Sequence, residues 1–121
     1  MADDRESAYE LLQRGRELIS TRHHAQAVIV LERAHRLEPG KASILEALGQ
    51  AYHNSGQYDR SCATFEELLE VDPSAHYAHF ALGQGLKQLG RPNEARTHLR
   101  LAVALSPTSE LYARALARLG G

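Results

Sequence analysis

The sequence predicts an all-α protein, a short stack of helix-turn-helix units closed by a seventh helix. Three observations lead there. Gly15, Gly49 and Gly83 are 34 residues apart, as are Pro39, Pro73 and Pro107, and a fixed period of that size marks stacked supersecondary units rather than one irregular globule. Helix formers dominate and β-branched runs are almost absent. Two glycine turns, Ser55-Gly56-Gln57 and Gly90-Arg91-Pro92, each split a unit into two periodic apolar segments.

Taken in order, residues 1–7 read as a short, flexible polar lead. Helices are predicted over Glu6 to Thr21, Ala25 to Leu37, Ala42 to Ser55, Tyr58 to Val71, Ser74 to Leu89 and Pro92 to Leu105. The units are 8–41, 42–75 and 76–109. Gly56 and Gly90 permit the left-handed conformation that ends a helix, and Pro92 suits a first helical turn. The turn Thr21-Arg22-His23-His24 has no glycine. Each unit's closing proline cannot continue a helix and biases the residue before it away from helical geometry. Thr108 or Ser109 can cap the last helix, residues 110–121, whose Leu111, Leu116 and Leu119 lie on one side and Arg114 and Arg118 on another. Such a helix solvates the end of a repeat stack. No spare helix precedes the first unit, which must cover its own edge, be soluble anyway, or meet a partner.

A glycine within a helix costs about 1 kcal/mol relative to alanine, so Gly15, Gly49 and Gly83 imply close approach of a second helix. The small residues expected at those crossings are Ala27, Ser61 and Ala95. The middle unit places Leu45, Leu48-Gly49, Tyr52, Ser61, Phe65 and Pro73 at spacings that resemble the tetratricopeptide repeat (TPR) pattern. The resemblance covers residues 8 to 109 as three repeats. It implies a right-handed α-solenoid, the TPR superhelix of three helix-turn-helix repeats plus a capping helix. The implied role is non-enzymatic: an adaptor or scaffold for protein–protein interaction.

Composition limits the alternatives. A fully apolar run such as Val28-Ile29-Val30-Leu31 is far too short to span a bilayer, and the acidic start lacks the basic and apolar regions of a signal peptide. The single Cys62 cannot form an internal disulfide, so a cytoplasmic location is the simplest setting. A net charge of −1 argues against dominant attraction to nucleic acid or membrane. No phosphate-binding glycine loop, paired-cysteine motif or metalloprotease helix is present, and no cofactor is implied. Among seven histidines, His23 and His24 adjoin in a turn, while His76 and His79 could share a helix face. The resemblance puts His79 at a packing position. His53 and His76 fall near opposite helix ends, roughly 15–20 Å apart at about 1.5 Å per residue, so no metal site is expected. Cys62 reads as a small apolar filler.

In TPR arrays the first helices of successive repeats line a concave groove that holds a peptide or a partner's helix. The resemblance therefore implies a groove of Tyr9, Leu12, Gln13, Arg16, Ile19, Ala47, Gln50, His53, Asn54, Tyr77, Phe80, Ala81, Gln84 and Lys87, with Arg114 and Arg118 closing one end. Tyr9, Leu12, Tyr77 and Phe80 are candidate anchors, although Leu12 and Phe80 could instead only pack between repeats. Arg16, Gln50 and Gln84 could hydrogen-bond an extended backbone. Chaperone-binding members grip a C-terminal carboxylate with Lys, Asn and Arg at places that hold Leu12, Arg16, Ala47, Tyr77 and Ala81 here. Only one is basic, which argues against binding Hsp70 or Hsp90 tails by that clamp.

Charge is uneven. Residues 1–86 carry eight Lys/Arg against thirteen Asp/Glu, and residues 87–121 carry six against two. An acidic partner could be steered towards Arg96, Arg100, Arg114 and Arg118, or copies could associate head to tail. Ile29 and Val30 are expected on the outer side of the second helix, where an exposed apolar pair can mark self-association. The chain is thus expected to be a monomer or weak homo-oligomer, self-association being the alternative to partner capture.

Overall fold

The structure, a computed structural model, describes residues 7–120. Those residues form seven helices and no strand: α1 (Ala8–Ser20), α2 (His24–Leu37), α3 (Ala42–Asn54), α4 (Tyr58–Val71), α5 (His76–Gln88), α6 (Pro92–Leu105) and α7 (Glu110–Arg118). Each packs on its neighbours in sequence, and α1 also touches α3 as α3 touches α5. First helices therefore line one side of the stack. The predicted lead and the start at Glu6 lie outside the described residues, apart from Ser7.

Local chemistry sets the boundaries. Ser7 and Glu10 form a capping box: the Glu10 N–H donates to Ser7 Oγ at 3.1 Å, and the Ser7 N–H donates to Glu10 Oε1 at 2.9 Å. Two orphan amides of α1 are satisfied in this way. Ser109 caps α7, accepting from the Tyr112 N–H at 3.2 Å. Ser74 was predicted inside α5 but lies in the preceding turn. There the Asp72 carboxylate accepts from the Ser74 N–H at 3.1 Å and its hydroxyl at 2.8 Å, a local bond that competes with helix formation. Smaller shifts put His24 inside α2 and make Ser55 and Leu89 C-caps rather than helical residues.

Every inward-facing glycine makes room for a large side chain. A Cβ at Gly15 would lie 2.4 Å from Leu31, one at Gly49 2.6 Å from Phe65, and one at Gly83 2.8 Å from Leu99. The obstacle is thus four residues beyond the small residue expected at the crossing. Ala27, Ser61 and Ala95 are themselves fully buried, and the Ser61 hydroxyl donates to the Gly49 carbonyl at 2.9 Å. Phe65 is fully buried, which stabilises the crossing by roughly 1.5–3 kcal/mol. Cys62 is buried with its Sγ against α5, where a Cβ on Gly85 would approach to 2.6 Å.

The leading face of the stack is polar. Glu10, Arg14 and Glu17 on α1 are exposed, whereas their equivalents 34 residues on, Ile44, Leu48 and Ala51, and again Ala78, Leu82 and Gly85, are buried. Charge replaces the apolar stripe that an inner repeat uses for stacking, so the first unit needs no covering helix to be soluble. At the other end Tyr112 and Ala115 bury the inner side of α7. Arg96 ties the helix down, donating from Nη2 to the Leu119 carbonyl at 2.7 Å. Its guanidinium serves a helix end, where cations are favourable, rather than a free basic surface.

Candidate partner-binding groove

The 34-residue register stacks equivalent residues of α1, α3, α5 and α7 into rows. One row is Tyr9, Ser43, Tyr77 and Leu111; the next is Leu12, Glu46, Phe80 and Arg114; a third is Arg16, Gln50, Gln84 and Arg118. Between α3 and α5 the rows enclose a pocket of about 140 Å³ lined by Gln50, His53, Asn54, Phe65, Tyr77, Phe80, Ala81 and Gln84. A more open cleft between Ile19, Ser20, Arg22, His24 and Asn54 lies towards the first unit. Asn54 borders both depressions.

Aromatic rings form the pocket's floor and one wall. Phe65 meets Tyr77 edge-on at 6.1 Å, Tyr77 meets Phe80 at 6.1 Å with a 45° tilt, and Phe80 stacks on Tyr112 at 4.9 Å. The series ends at His76, whose Nδ1 is 2.7 Å from the Tyr112 hydroxyl. Burial, and after it the Glu46 carboxylate, raises the Tyr77 phenol above its usual value, and the same two causes raise Tyr112. Both hydroxyls therefore remain neutral donors at physiological pH. Opposite them the amides of Gln50, Asn54 and Gln84 offer donors and acceptors together. His53 has its Nδ1 buried without a hydrogen-bond partner among the described residues, and burial lowers its pKa.

Sequence-predicted residues divide accordingly. Gln50, His53, Asn54, Tyr77, Phe80, Ala81 and Gln84 meet in the one pocket. Tyr9, Gln13, Arg16, Lys87, Arg114 and Arg118 are exposed and line neither depression. Leu12 is corrected from groove anchor to core. It is 3% exposed and clusters with Ile44, Ala47, Leu48 and Ala51, an apolar side of α3 against which its own side chain is buried. Val30 is corrected as well: it is buried, while Ile29 is 68% exposed. One helical residue turns the side chain by about 100°, enough to separate the expected pair. Sequence reading missed Phe65 and Tyr112 as parts of this region, and also Glu46, which is exposed at the place equivalent to Phe80 and whose charge acts on the Tyr77 and Tyr112 phenols.

Elsewhere the titratable groups are structural. Burial pushes the Cys62 thiol up to about 11, the opposite of nucleophile activation. The Tyr52 hydroxyl donates to Glu32, and burial with that bond pushes the phenol up to about 12. His76 and His79 do not act together. His79 Nε2 donates to the Pro73 carbonyl at 3.3 Å, which leaves its Nδ1 to accept from His98 Nδ1 at 3.2 Å. Among the described residues no three His, Cys, Asp or Glu side chains converge on a common point.

Such an array of paired helices around an open concave wall is an α-solenoid. The chain belongs to the tetratricopeptide repeat family, whose sequence model matches residues 12–62 and 54–110. Members of this family are in general non-catalytic modules for protein–protein interaction. Superkiller complex protein 3 of Mus musculus is 32% identical over 109 residues, which are 90% of this chain and 7% of that protein. The chain thus spans a small part of that relative's length. Among solved structures, the first TPR of Spaghetti (RPAP3) bound to the HSP90 peptide SRMEEVD superposes with a TM-score of 0.90, at 14% identity, covering 94% of this chain and 90% of that one. YrrB, a TPR protein with an unusual peptide-binding site, gives 0.87 at 22% identity over 91% of this chain and 57% of that one. At these identities the likeness concerns the fold.

Proposed function

We propose that this chain is a non-enzymatic adaptor that holds an extended or helical segment of another protein in its concave groove. The pocket between α3 and α5 carries the proposal, because it joins an aromatic floor to three side-chain amides. Tyr77 and Phe80 supply apolar anchorage at small entropic cost, and Gln50, Asn54 and Gln84 fix the bound segment's register through its backbone amides. Both related structures whose names mention peptides share this architecture. In this proposal the three repeats are residues 8–41, 42–75 and 76–109. A cytoplasmic setting suits an unpaired, buried Cys62, and among the described residues no helix is long and apolar enough to cross a membrane.

Two partner classes fit less well. Leu12, Tyr77 and Ala81 hold no cation where a carboxylate clamp needs one, so Hsp70 and Hsp90 tails are not the proposed ligands. Self-association through Ile29 and Val30 loses half its surface, since Val30 faces the core. A photo-crosslinking residue at Gln84, compared with one at the exposed Arg36 on α2, tests the groove in native cytoplasm. Crosslinks to one protein from position 84 alone support the proposal, whereas equal products from both positions, or only self-crosslinked chain, refute it.

A further inference from the structure

Glu46 on α3 is a charge that no described residue neutralises by an ion pair. Glu46 occupies on α3 the place that Phe80 occupies on α5, 34 residues away, and where Leu12 at the same place on α1 turns into the core, Glu46 stays at the surface. Its side chain is exposed, with no ion-pair or hydrogen-bond partner among the described residues. Its field reaches the Tyr77 and Tyr112 phenols and raises both, secondary to burial.

Tyr77 and Phe80 are half-buried, line the pocket and stand at 45° to each other. Neither ring is free to collapse. Phe65 supports Tyr77 edge-on, and Tyr112, buried and bonded to His76, backs Phe80. The open faces of aromatic rings are electron-rich and attract a cation placed over them, and an adjacent carboxylate adds a charge-assisted hydrogen bond. A guanidinium suits both, since it is planar, stacks on rings and presents a fork of donors to a carboxylate. The cation in the same row, Arg114, lies beyond Phe80 and is drawn to Glu110 at 3.9 Å.

We propose that Glu46, Tyr77 and Phe80 form a subsite for an arginine side chain of the segment that the groove holds. The inference rests on the groove reading and gives it a sign opposite to a carboxylate clamp: a partner's terminal carboxylate would meet the like charge of Glu46.

The test is selection from a random dodecapeptide library displayed as internal loops, so that no free terminus is offered. Baits are the wild-type chain, Glu46→Gln and Tyr77→Ala/Phe80→Ala, each checked by circular dichroism; Gln50→Glu/Gln84→Glu replaces the aromatic variant if that does not fold. Wild type is expected to enrich arginine at one fixed place among apolar residues. Glu46→Gln is expected to keep the apolar preference and lose the arginine. For the best peptide, fluorescence polarisation should show about tenfold weaker binding to Glu46→Gln. Replacing the peptide's arginine by glutamine should weaken wild type alone, as coupling requires. Arginine-independent selection, or binding indifferent to Glu46→Gln, overturns the subsite while leaving the groove intact. A wild-type selection matching that of the groove-altered variant overturns the groove reading, and the subsite with it.

Discussion

Arg22 and Gly56 stand one repeat apart and share one backbone conformation, φ 67° at the arginine and 81° at the glycine. Gly90 continues the series at 75°. All three end a first helix in the same way: the next residue's N–H returns to a carbonyl five residues back, His23 to Leu18 at 2.8 Å, Gln57 to Tyr52 at 2.8 Å and Arg91 to Leu86 at 2.9 Å. The motif satisfies orphan carbonyls but requires a left-handed residue. The turn without glycine therefore has the same geometry as the other two, at a price in strain. A side chain in that region costs about 1–2 kcal/mol, partly offset by glycine's freer unfolded chain. Arg22→Gly should stabilise the fold by about 0.5–1 kcal/mol on these grounds. Urea unfolding should show a higher midpoint at unchanged slope; an unchanged or lower midpoint would mean that the arginine's contacts outweigh the strain.

At Gly49 propensity and packing disagree. Alanine is favoured over glycine by about 1 kcal/mol in a helix interior, but here its Cβ would sit 2.6 Å from a fully buried Phe65 ring. Overpacking typically costs 1–3 kcal/mol, so Gly49→Ala is expected to lower the melting temperature. Adding Phe65→Leu should cost less than the two separate changes combined. A stabilised single variant would show the crossing to be loose.

These two sites also mark what was legible. Glycine and proline spacing alone located every helix pair, because each marker answers a backbone demand that recurs in every unit. Ser7 and Glu10 were overlooked, although their spacing is itself a cap signature. Side-chain direction was read less well. Val30 and Leu12 were assigned to surfaces by family position, yet one residue of rotation hides Val30, and Leu12 packs against the apolar side of α3. Phe65, on a second helix, reaches the pocket floor because Gly49 opens the way, which no pattern on the first helices encodes.

The His98 and His53 imidazoles titrate below their usual range, chiefly through burial, with His79 adding to the effect at His98 and Glu66 and Glu94 opposing it. A lowered folded pKa means that the unfolded chain binds the proton more tightly. Stability from these groups is complete above the unfolded value of about 6.5 and is lost as pH falls below it. Melting temperature should therefore drop between pH 7.5 and 5, and drop less in His53→Gln/His98→Gln. Equal slopes would place the acid sensitivity elsewhere.

The charged leading face predicts its own failure. Replacing Glu10, Arg14 and Glu17 by Ile, Leu and Ala gives α1 the residues that α3 uses for stacking. An exposed apolar stripe of that kind is an interaction surface. Light scattering should then report mass rising with concentration, against a constant mass for the unaltered chain. No change would show that this face does not control association.

The groove itself is tested most directly by affinity capture from native cytoplasm with wild type and Tyr77→Ala/Phe80→Ala side by side, both first matched in mass by light scattering and in helicity by circular dichroism. The account predicts a protein retained by wild type and lost from the variant. Identical captured sets, or recovery of the bait alone, would contradict it and leave the aromatic wall a purely structural feature.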